Sequence, residues 1–420
     1  MEWRKEMNRK DTMWIIIFAV VIVAAVLGMQ WYSKGDSDTN ANPVVISTIS
    51  EDSTTSRAFT WQTDNPNLSA KLQIVKGKDT SFEGDQILNF EGTTTSLVLD
   101  NGATVGVHKV EATGLTPGTV YQYRVGDGSK EGWSDVLTFE TAPEEEDFSF
   151  IYATDSQGET QSDFELWKNT MNKAFETFPS ASFVVHAGDF VEDSGSDDAW
   201  NYFLEESTSW ISRIPIVPVI GNNDVMDDKF ERFASYFHTP DNGASKLTGS
   251  ETNYSFDYGS AHIAVLNTEG SIKQQTEWLK EDLASTDKEW KIVAMHRPVY
   301  GGNTYKKIQD WAEIFDEYEV DLVLQGHNHE YSRSYPIKQG EITGDGSDLV
   351  RNHEGTVYVV ANASGPKFNE KKEDQFYHKI HFQNNKQMFA GITIRDNTLT
   401  YQAYDVDGKL LDVFSIEHEE

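Results

Sequence analysis

The sequence of 420 residues contains no cysteine. Disulfide bridges, thiolate zinc sites, thiol nucleophiles and lipid attachment through an N-terminal cysteine are therefore excluded. Basic residues are also scarce, since 35 lysines and arginines stand against 68 aspartates and glutamates, for a formal net charge of −33. Such a surface repels phosphate backbones, so nucleic acid is not expected as a bulk partner. A phosphate ester remains acceptable as a substrate, because bound metal ions reverse the sign of the local charge.

One uncharged segment stands near the N-terminus, from Met13 to Tyr32. As a helix rising about 1.5 Å per residue, it would match the roughly 30 Å hydrocarbon core of a bilayer. Trp14 at one end and Trp31 at the other are typical of interfacial anchors. Basic residues within 1–12 predict that this part stays in the cytoplasm. We therefore predict a transmembrane signal-anchor over 13–32, with a single pass through the cell membrane and an extracellular body.

A cleaved signal peptide is the alternative interpretation of this segment, and it would make the protein secreted. Its apolar region would normally be shorter and would end at an A-x-A-like site, for which Val26-x-Gly28 is a poor substitute. A buried core helix is a third interpretation, which the terminal position and extreme apolarity disfavour. Residues 33–43 are mostly polar and predict a flexible linker.

Short alternating apolar runs broken by turn residues fill positions 44–143. This pattern predicts an all-β sandwich domain. Its most specific segment is Leu115–Val125, where a Pro-Gly turn leads Tyr121 into a strand, as in the tyrosine corner of such sandwiches. Trp133 and Phe139 are then expected in the core of the closing strand. The acidic residues 144–147 predict a solvated linker.

Strands alternate with helices from position 148 onwards, which predicts an α/β domain over 148–418. Polar residues follow the ends of five apolar runs in this region. They are Asp155, Gly188-Asp189, Gly221-Asn222, His296 and Gly326-His327-Asn328-His329. Ligands of layered α/β folds bind beyond the carboxyl ends of strands, so these side chains are expected at one sheet edge. We expect the preceding glycines to allow tight turns that aim the side chains inward.

The mixture of carboxylate, amide and imidazole suits two metal ions bound side by side. Such a pair, about 3.5–4 Å apart, lowers the pKa of a shared water and polarises the oxygens of a phosphate ester. One carboxylate should bridge the two ions, and Asp189 is the natural bridge.

Together these motifs resemble those of the calcineurin-like metallophosphoesterase superfamily. The Leu115–Val125 segment makes the chain similar to its bacterial purple-acid-phosphatase-like branch. The resemblance implies a four-layer α/β/β/α sandwich after a fibronectin-III-like domain. It also implies two divalent or trivalent ions (Fe, Zn or Mn) and a metal-bridging hydroxide that attacks phosphorus. One ion would be bound by Asp155, Asp189 and His329, and the other by Asp189, Asn222, His296 and His327.

Three positions depart from the family pattern. Glu192 replaces the iron-binding tyrosine of purple acid phosphatases, and Gln157 replaces the histidine of relatives that lack this tyrosine. Gln157 is thus an additional, weaker candidate ligand. Asn223 replaces a histidine that binds phosphate and protonates the leaving group; it can donate a hydrogen bond but cannot shuttle a proton. Asp224, expected to orient residue 223, is retained.

Tyr331 and Arg333 follow the last histidine and are further candidates for substrate contact, with packing and a surface role as the respective alternatives.

The sequence thus predicts an exported, membrane-anchored dinuclear phosphoesterase acting on small phosphomonoesters or phosphodiesters. The substitution at Asn223 favours substrates with better leaving groups. The alternative is a cell-surface binding protein that keeps the fold with little or no turnover. The Asn223 and Gln157 changes motivate this alternative, and retention of all six core ligands argues against it.

Overall fold

The computed structural model describes residues 42–78, 81–145, 147–226, 229–244 and 251–419. The predicted cytoplasmic N-terminus, the signal-anchor over 13–32 and nearly all of the 33–43 linker lie outside these residues. Within the described ranges, no helix combines the length and the apolarity needed to cross a bilayer.

The first part of the described chain is built from strands and one 3-10 turn, Gly84–Gln86. The strands are β1 (Ile46–Thr48), β2 (Arg57–Thr63), β3 (Lys71–Lys76), β4 (Leu88–Glu91), β5 (Thr93–Val98), β6 (Thr104–Ala112), β7 (Val120–Gly126) and β8 (Leu137–Glu140). Strands β4-β3-β7-β8 form one antiparallel sheet, and β1-β2-β6-β5 pair side by side opposite it. Buried side chains from both sets, among them Phe59, Leu72 and Tyr123, form a common core.

The tyrosine corner is confirmed, because the hydroxyl of Tyr121 accepts a hydrogen bond from the backbone N–H of Thr116 at 2.9 Å. Phe139 lies in the last strand and is buried, as expected. Trp133 does not belong to that strand. It forms an isolated bridge with Gly126 and stacks against the guanidinium of Arg124, 4.7 Å from the ring centroid.

The remaining chain alternates strands with helices before ending in a run of strands. The strands are β9 (Phe148–Ala153), β10 (Val184–His186), β11 (Ile216–Pro218), β12 (Tyr254–Tyr258), β13 (Ala261–Leu266), β14 (Trp290–Met295), β15 (Leu322–Gln325), β16 (Tyr331–Ser334), β17 (Ile337–Lys338), β18 (Glu341–Ile342), β19 (Leu349–Arg351), β20 (Val357–Val360), β21 (His378–Phe382), β22 (Met388–Arg395), β23 (Thr398–Asp405) and β24 (Leu410–Glu417). The helices are α1 (Gln161–Thr177), α2 (Asp197–Ser207), α3 (Glu231–Ala234), α4 (Ile272–Ser285), α5 (Trp311–Glu317) and the 3-10 turn Lys306–Ile308.

Two sheets face each other in this region. One contains the parallel strands β9, β10 and β11, flanked by β22, β23, β24 and β19, and the other has the order β12-β13-β14-β15-β20-β16-β21. Apolar side chains of both sheets, such as Phe150 and Val185 from the first and Ile292 and Leu324 from the second, share one core. The prediction of a mixed α/β domain behind an N-terminal β domain is thus confirmed.

Helices cover the opposite faces of the two sheets. Alternate residues of a strand point to opposite faces, so Ile151, next to Phe150, packs against Trp167 of α1. Helix α1 begins at a capping box of Thr160 and Asp163 and buries a stripe of apolar residues at helical spacing. Helices α4 and α5 cover β14 and β15 in the same way. Both layers of parallel strands are therefore buried, and their carboxyl ends are free to carry polar side chains.

The two regions share a sheet, which the sequence did not predict. Thr48 of β1 pairs in parallel with Ile216 of β11, so β1, β2, β6 and β5 continue the first sheet to a total of 11 strands. The hydroxyl of Tyr123 also donates a hydrogen bond to the backbone oxygen of Ser212 at 2.6 Å. The β-region is thus hydrogen-bonded to the α/β region next to the strand that leads to Asn222.

Candidate metal centre

All six predicted core ligands follow strands of the two sheets within four residues. Five are aspartate or histidine, and these form two groups in which one donor atom from each residue lies within 4.8 Å of the others. The groups are Asp155–Asp189–His329 and Asp189–His296–His327. Asp189 belongs to both, which is the arrangement expected of a carboxylate shared between two ions.

The backbone at this edge is in an unusual conformation. Four of the predicted ligands have positive φ angles, which non-glycine residues rarely adopt. They are Asp155 (53°), Asp189 (55°), His327 (74°) and His329 (54°). Backbone strain of this kind costs about 1–3 kcal/mol per residue and persists where surrounding contacts fix it, commonly at functional sites.

Backbone carbonyls fix the orientation of two imidazole rings. His296 donates from Nδ1 to the oxygen of Ala187 at 2.8 Å, and His329 donates from Nδ1 to the oxygen of Lys367 at 2.8 Å. Each ring therefore directs Nε2 towards a carboxylate, at 3.2 Å from Asp189 Oδ2 and 3.3 Å from Asp155 Oδ1, respectively. A hydrogen bond at the far nitrogen is the usual way in which proteins orient a metal-binding histidine.

Two buried amide oxygens at this edge have no hydrogen-bond partner. They are Asn222 Oδ1 and Gln157 Oε1. Buried polar atoms are rarely left unpaired, so each requires an explanation. Both can donate an electron pair to a cation, and the carboxylates of Asp155 and Asp189 at this edge supply negative charge. The residues present therefore fit a pair of metal ions.

The electrostatics of the centre favour the ionised form of Asp155, whereas burial and the neighbouring Asp189 raise the pKa of Asp224 to about 7. Burial alone would raise the pKa of Asp155, but the imidazoles of His329 and His296 hold it well below its ordinary value. Burial alone would lower the pKa of His296, but Asp189 raises it to about 10. Burial, together with His296 and Arg297, lowers the pKa of His327 to about 3, so this ring is neutral, as metal binding requires.

The glycines before the ligands serve two different purposes. Gly188 has a φ of +94°, which agrees with the expected tight turn. Gly221 is required for a different reason, which is a close approach between two loops. A Cβ at this position would lie 2.2 Å from both the backbone N and Oδ1 of Asp189. A side chain at position 221 would thus displace the shared carboxylate.

Asp224 does not orient residue 223, so the predicted role is wrong. Its carboxylate is buried and accepts three backbone hydrogen bonds, from Gly221 at 2.8 Å, Asp189 at 2.9 Å and Phe190 at 2.8 Å. The side chain of Asn223 instead accepts from Nδ2 of Asn222, and its backbone N–H donates to Oδ1 of Asp189 at 2.8 Å. Asp224 therefore joins the loops after β10 and β11, and positions Asp189 through the backbone.

Tyr331 and Arg333 are not available to contact substrate, which corrects the prediction made for them. Both are buried in β16. Tyr331 donates its hydroxyl to Asp412 at 2.6 Å, and Arg333 donates to both oxygens of Asp412, at 2.7 and 2.8 Å. Arg333 also binds Asp348 at 2.9 Å. Their polar groups join β16 to the first sheet, so packing is the better interpretation of Tyr331, and the surface role predicted as the alternative for Arg333 is wrong because this side chain is buried.

Two of the three residues that depart from the family pattern form a polar group with Lys367 at the edge of the site. Gln157 donates a hydrogen bond to Glu192, and Glu192 forms an ion pair with Lys367 at 3.0 Å. Glu192 is thus held by a cation, and Oε1 of Gln157 is left without a partner. Lys367 also provides the carbonyl that orients His329, which links this group to the predicted ligands.

Arg297 is a site residue that sequence reasoning missed. Its Nη1 lies 3.1 Å from Nε2 of His327, and its Nε donates to Glu269 at 2.6 Å. Because arginine only donates, Nε2 of His327 accepts in this contact and the proton of the neutral ring lies on Nδ1, so an ion bound by this ring would displace either Nη1 or that proton. The position directly after His296 was the only signal for this residue in the sequence. Among the described residues, Arg297 is the one arginine whose guanidinium contacts a predicted ligand.

Comparison with known proteins identifies two family domains. The calcineurin-like phosphoesterase model matches residues 149–331, and the model of the purple acid phosphatase N-terminal domain matches residues 42–141. Purple acid phosphatase 15 of Arabidopsis thaliana is 26% identical over 295 residues, which cover 62% of this chain and 53% of that protein. Acid phosphatase type 7 of Danio rerio is 24% identical over 389 residues, which cover 80% of this chain and 84% of that protein.

A solved structure shares the fold. Purple acid phosphatase PPD1 from yellow lupin seeds matches 90% of this chain and 74% of its own, with a TM-score of 0.74 and 18% sequence identity. The match to the Arabidopsis protein spans only about half of that protein's length. The comparisons agree with the predicted class of metal-dependent phosphoric ester hydrolase.

Proposed function

Because the chain belongs to the calcineurin-like phosphoesterases, in the purple-acid-phosphatase-like branch, we propose that it hydrolyses phosphate esters at a dinuclear metal centre. The observation that carries this proposal is that Asp189 lies in both ligand groups. A carboxylate shared between two groups of buried ligand atoms is the arrangement required for two ions at the separation of two-metal hydrolases. The acid phosphatase names of the relatives support small phosphate esters as the substrate class.

The proposed ligand sets follow the family pattern. One ion would be bound by Asp155, Asp189 and His329, with Gln157 as an additional ligand through its unpartnered oxygen. The other would be bound by Asp189, Asn222, His296 and His327. A bound pair supplies a water of lowered pKa and neutralises the phosphoryl oxygens. The ligand types are compatible with Fe, Zn or Mn.

Residues of the chain would bind and orient the phosphate group. Arg297 is held by Glu269 with Nη1 towards His327, so its guanidinium can donate to a phosphoryl oxygen. The amide of Asn223 accepts from Asn222 through its oxygen, which leaves Nδ2 to donate to the substrate. Asn223 has no proton to give to a leaving group at neutral pH. The proposed enzyme should therefore prefer esters with good leaving groups, including some phosphodiesters or nucleotides.

The test is hydrolysis of p-nitrophenyl phosphate and of bis-p-nitrophenyl phosphate by the full chain supplied with Mn, Zn or Fe. The Asp189→Asn and His296→Gln variants should each lose most activity, because each removes a buried ligand. Asp85→Asn, a change of an exposed carboxylate in the β-region, is the matched control and should behave as wild type. Equal activity in all four proteins would overturn the assignment of the centre.

A binding protein with little turnover is the second candidate function. It is favoured by the absence of a proton donor at Asn223. Retained metal binding with no hydrolysis of either ester under any metal would establish this candidate in place of the enzyme.

The location of the protein is also a proposal. We infer an exported catalytic region, anchored by residues 13–32, behind a fibronectin-III-like domain and with the four-layer arrangement of the family. Protease treatment of intact cells should release the catalytic region if it faces outward, and protection from protease would contradict this location.

A further inference from the structure

A third group of metal-ligand atoms lies away from the centre described above. Asp321, His353 and His418 bring one donor atom each within 4.8 Å of the others. Asp321 directly precedes β15, whereas His327 and His329 follow it. The third group is therefore at the opposite end of this strand from the proposed catalytic centre, and none of its residues has a role in the proposed reaction.

Two imidazole nitrogens face the same carboxylate oxygen in this group. Oδ1 of Asp321 lies 2.8 Å from Nε2 of His418 and 3.4 Å from Nδ1 of His353. Asp321 is buried, and its other oxygen accepts a hydrogen bond from the backbone N–H of Lys291 at 3.0 Å. Nδ1 of His353 is buried and makes no hydrogen bond. The carboxylate thus forms a hydrogen bond with one ring, whereas the second ring faces it at 3.4 Å without one.

A cation would satisfy all three donors at once. Zinc takes imidazole nitrogens and carboxylate oxygens at about 2.0–2.2 Å, and a tetrahedral site then separates its ligand atoms by roughly 3.3 Å. The 3.4 Å separation between His353 and Asp321 agrees with this value, as do the 3.2 and 3.3 Å separations in the proposed catalytic centre. The shorter contact to His418 needs to open by only about half an ångström.

The surroundings resemble those of a supported metal ligand. Nδ1 of His418, the nitrogen that faces away from Asp321, lies 3.5 Å from a carboxylate oxygen of Glu289. The ring of His418 stacks on Trp290, with 4.1 Å between centroids and 13° between planes, which fixes its orientation. The side chain of His353 is 31% exposed, so an ion can reach the site and a water can complete the coordination.

We propose that Asp321, His353 and His418 form a structural site for a zinc-type divalent cation. His418 follows β24 and His353 follows β19, two paired strands at the edge of the first sheet. Asp321 directly precedes β15 of the second sheet. A bound ion links the two sheets close to the C-terminus, and its effect is on stability and not on the reaction.

The test uses the absence of cysteine from the chain. In a His353→Cys variant of the full protein, the new cysteine supplies the single thiolate in the chain, because the native sequence has no cysteine. A thiolate-to-cobalt charge-transfer band therefore reports this site alone, whatever binds at the catalytic centre. The band should reach its full intensity when about one equivalent of Co²⁺ per chain is bound at this site. It should be absent from the double variant that carries both His353→Cys and His418→Gln. Absence of the band would overturn the assignment.

Zinc content and thermal stability provide a second, independent test of this site. After dialysis against Zn²⁺ and removal of free metal, wild type should retain one ion per chain more than His353→Gln. Zn²⁺ should raise the Tm of wild type by more than that of the variant. Asn352→Ser is the matched control, because it alters the same loop, where Asn352 accepts from the N–H of Glu419, without removing a ligand. Equal zinc content and equal Tm shifts in wild type and His353→Gln would show that protons alone occupy the group.

Discussion

The corrected role of Asp224 can be tested by its replacement with asparagine. In the native protein, one carboxylate oxygen accepts from Gly221 and Asp189 and the other accepts from Phe190. Asparagine keeps one accepting oxygen and sets an amide N–H₂ group against the remaining backbone N–H. Burial and the neighbouring Asp189 raise the pKa of Asp224 to about 7, so the assay is run at pH 8.5, where the carboxylate is ionised. Hydrogen bonds to charged groups contribute about 1.5–3 kcal/mol, and an unsatisfied buried donor costs a similar amount. We therefore expect Asp224→Asn to lower the free energy of unfolding by about 2–4 kcal/mol.

The same change should weaken metal binding, because Asp189 receives its position from this contact. Loss of a group that orients a ligand typically reduces metal affinity about 10–100-fold. The assay is a competition titration of metal affinity, combined with urea unfolding of the metal-free protein. Unchanged metal affinity in a folded Asp224→Asn variant would contradict the proposed positioning role.

A double-mutant cycle distinguishes this mechanism from action through residue 223. If Asp224 oriented the side chain of Asn223, the effect of Asp224→Asn on activity would vanish in an Asn223→Ala background. The described residues show no hydrogen bond between these two side chains, so the two effects should add. Strong coupling between the two substitutions would refute our interpretation.

Three further predictions concern catalysis, packing and pH. Asn223→His should raise turnover of esters with poor leaving groups, by up to about 10²-fold, with little change for good ones. Gly221→Ala, which places a methyl group 2.2 Å from the shared carboxylate, should lower metal content and activity together. Burial alone would lower the pKa of His262, but Asp257 and Asp282 raise it to about 9. His262→Gln should therefore lower stability at pH 6, where the native contribution of about 1–3 kcal/mol is complete, and have little effect above pH 10.

Each of these has an outcome that would count against it. Equal leaving-group dependence in the wild type and Asn223→His would mean that another residue supplies the proton. Full metal content in Gly221→Ala would mean that the loops can separate without loss of the centre. A stability difference for His262→Gln that is as large above pH 10 as at pH 6 would show that the ring stabilises by packing, since its raised pKa makes the charge contribution disappear as pH rises through about 9.

The positions of the ligands could be predicted because they depend on local pattern. Each follows a short apolar run, and parallel strands bring their carboxyl ends to one edge. The structure places Asp155, Asp189 and His329 in one group for this reason. The second group adds His296 and His327 by the same rule. The geometry supports the predicted ligand set, whose role in metal binding is a proposal.

The roles of the neighbouring residues depend on partners that are distant in the sequence, and so they could not be predicted. Tyr331 and Arg333 lie close to His329 in the sequence, but both are bound by Asp412 on another sheet. The role of Asp224 requires two loops to meet, and the continuity of the first sheet rests on the pairing of Thr48 with Ile216. Proximity in sequence to a ligand is therefore a poor guide to contact with substrate.

The most direct test of the central claim is the number of ions that each variant retains. Because Asp189 lies in both groups whereas His329 lies in one, Asp189→Ala should lose two ions per chain relative to wild type. His329→Gln should lose one. Elemental analysis of the purified proteins gives these differences even if a further site outside the centre binds metal, since that site is common to all three. A loss of two ions in Asp189→Ala and of one ion in His329→Gln would support a dinuclear centre bridged by Asp189. An Asp189→Ala protein that keeps the metal content of wild type would contradict it.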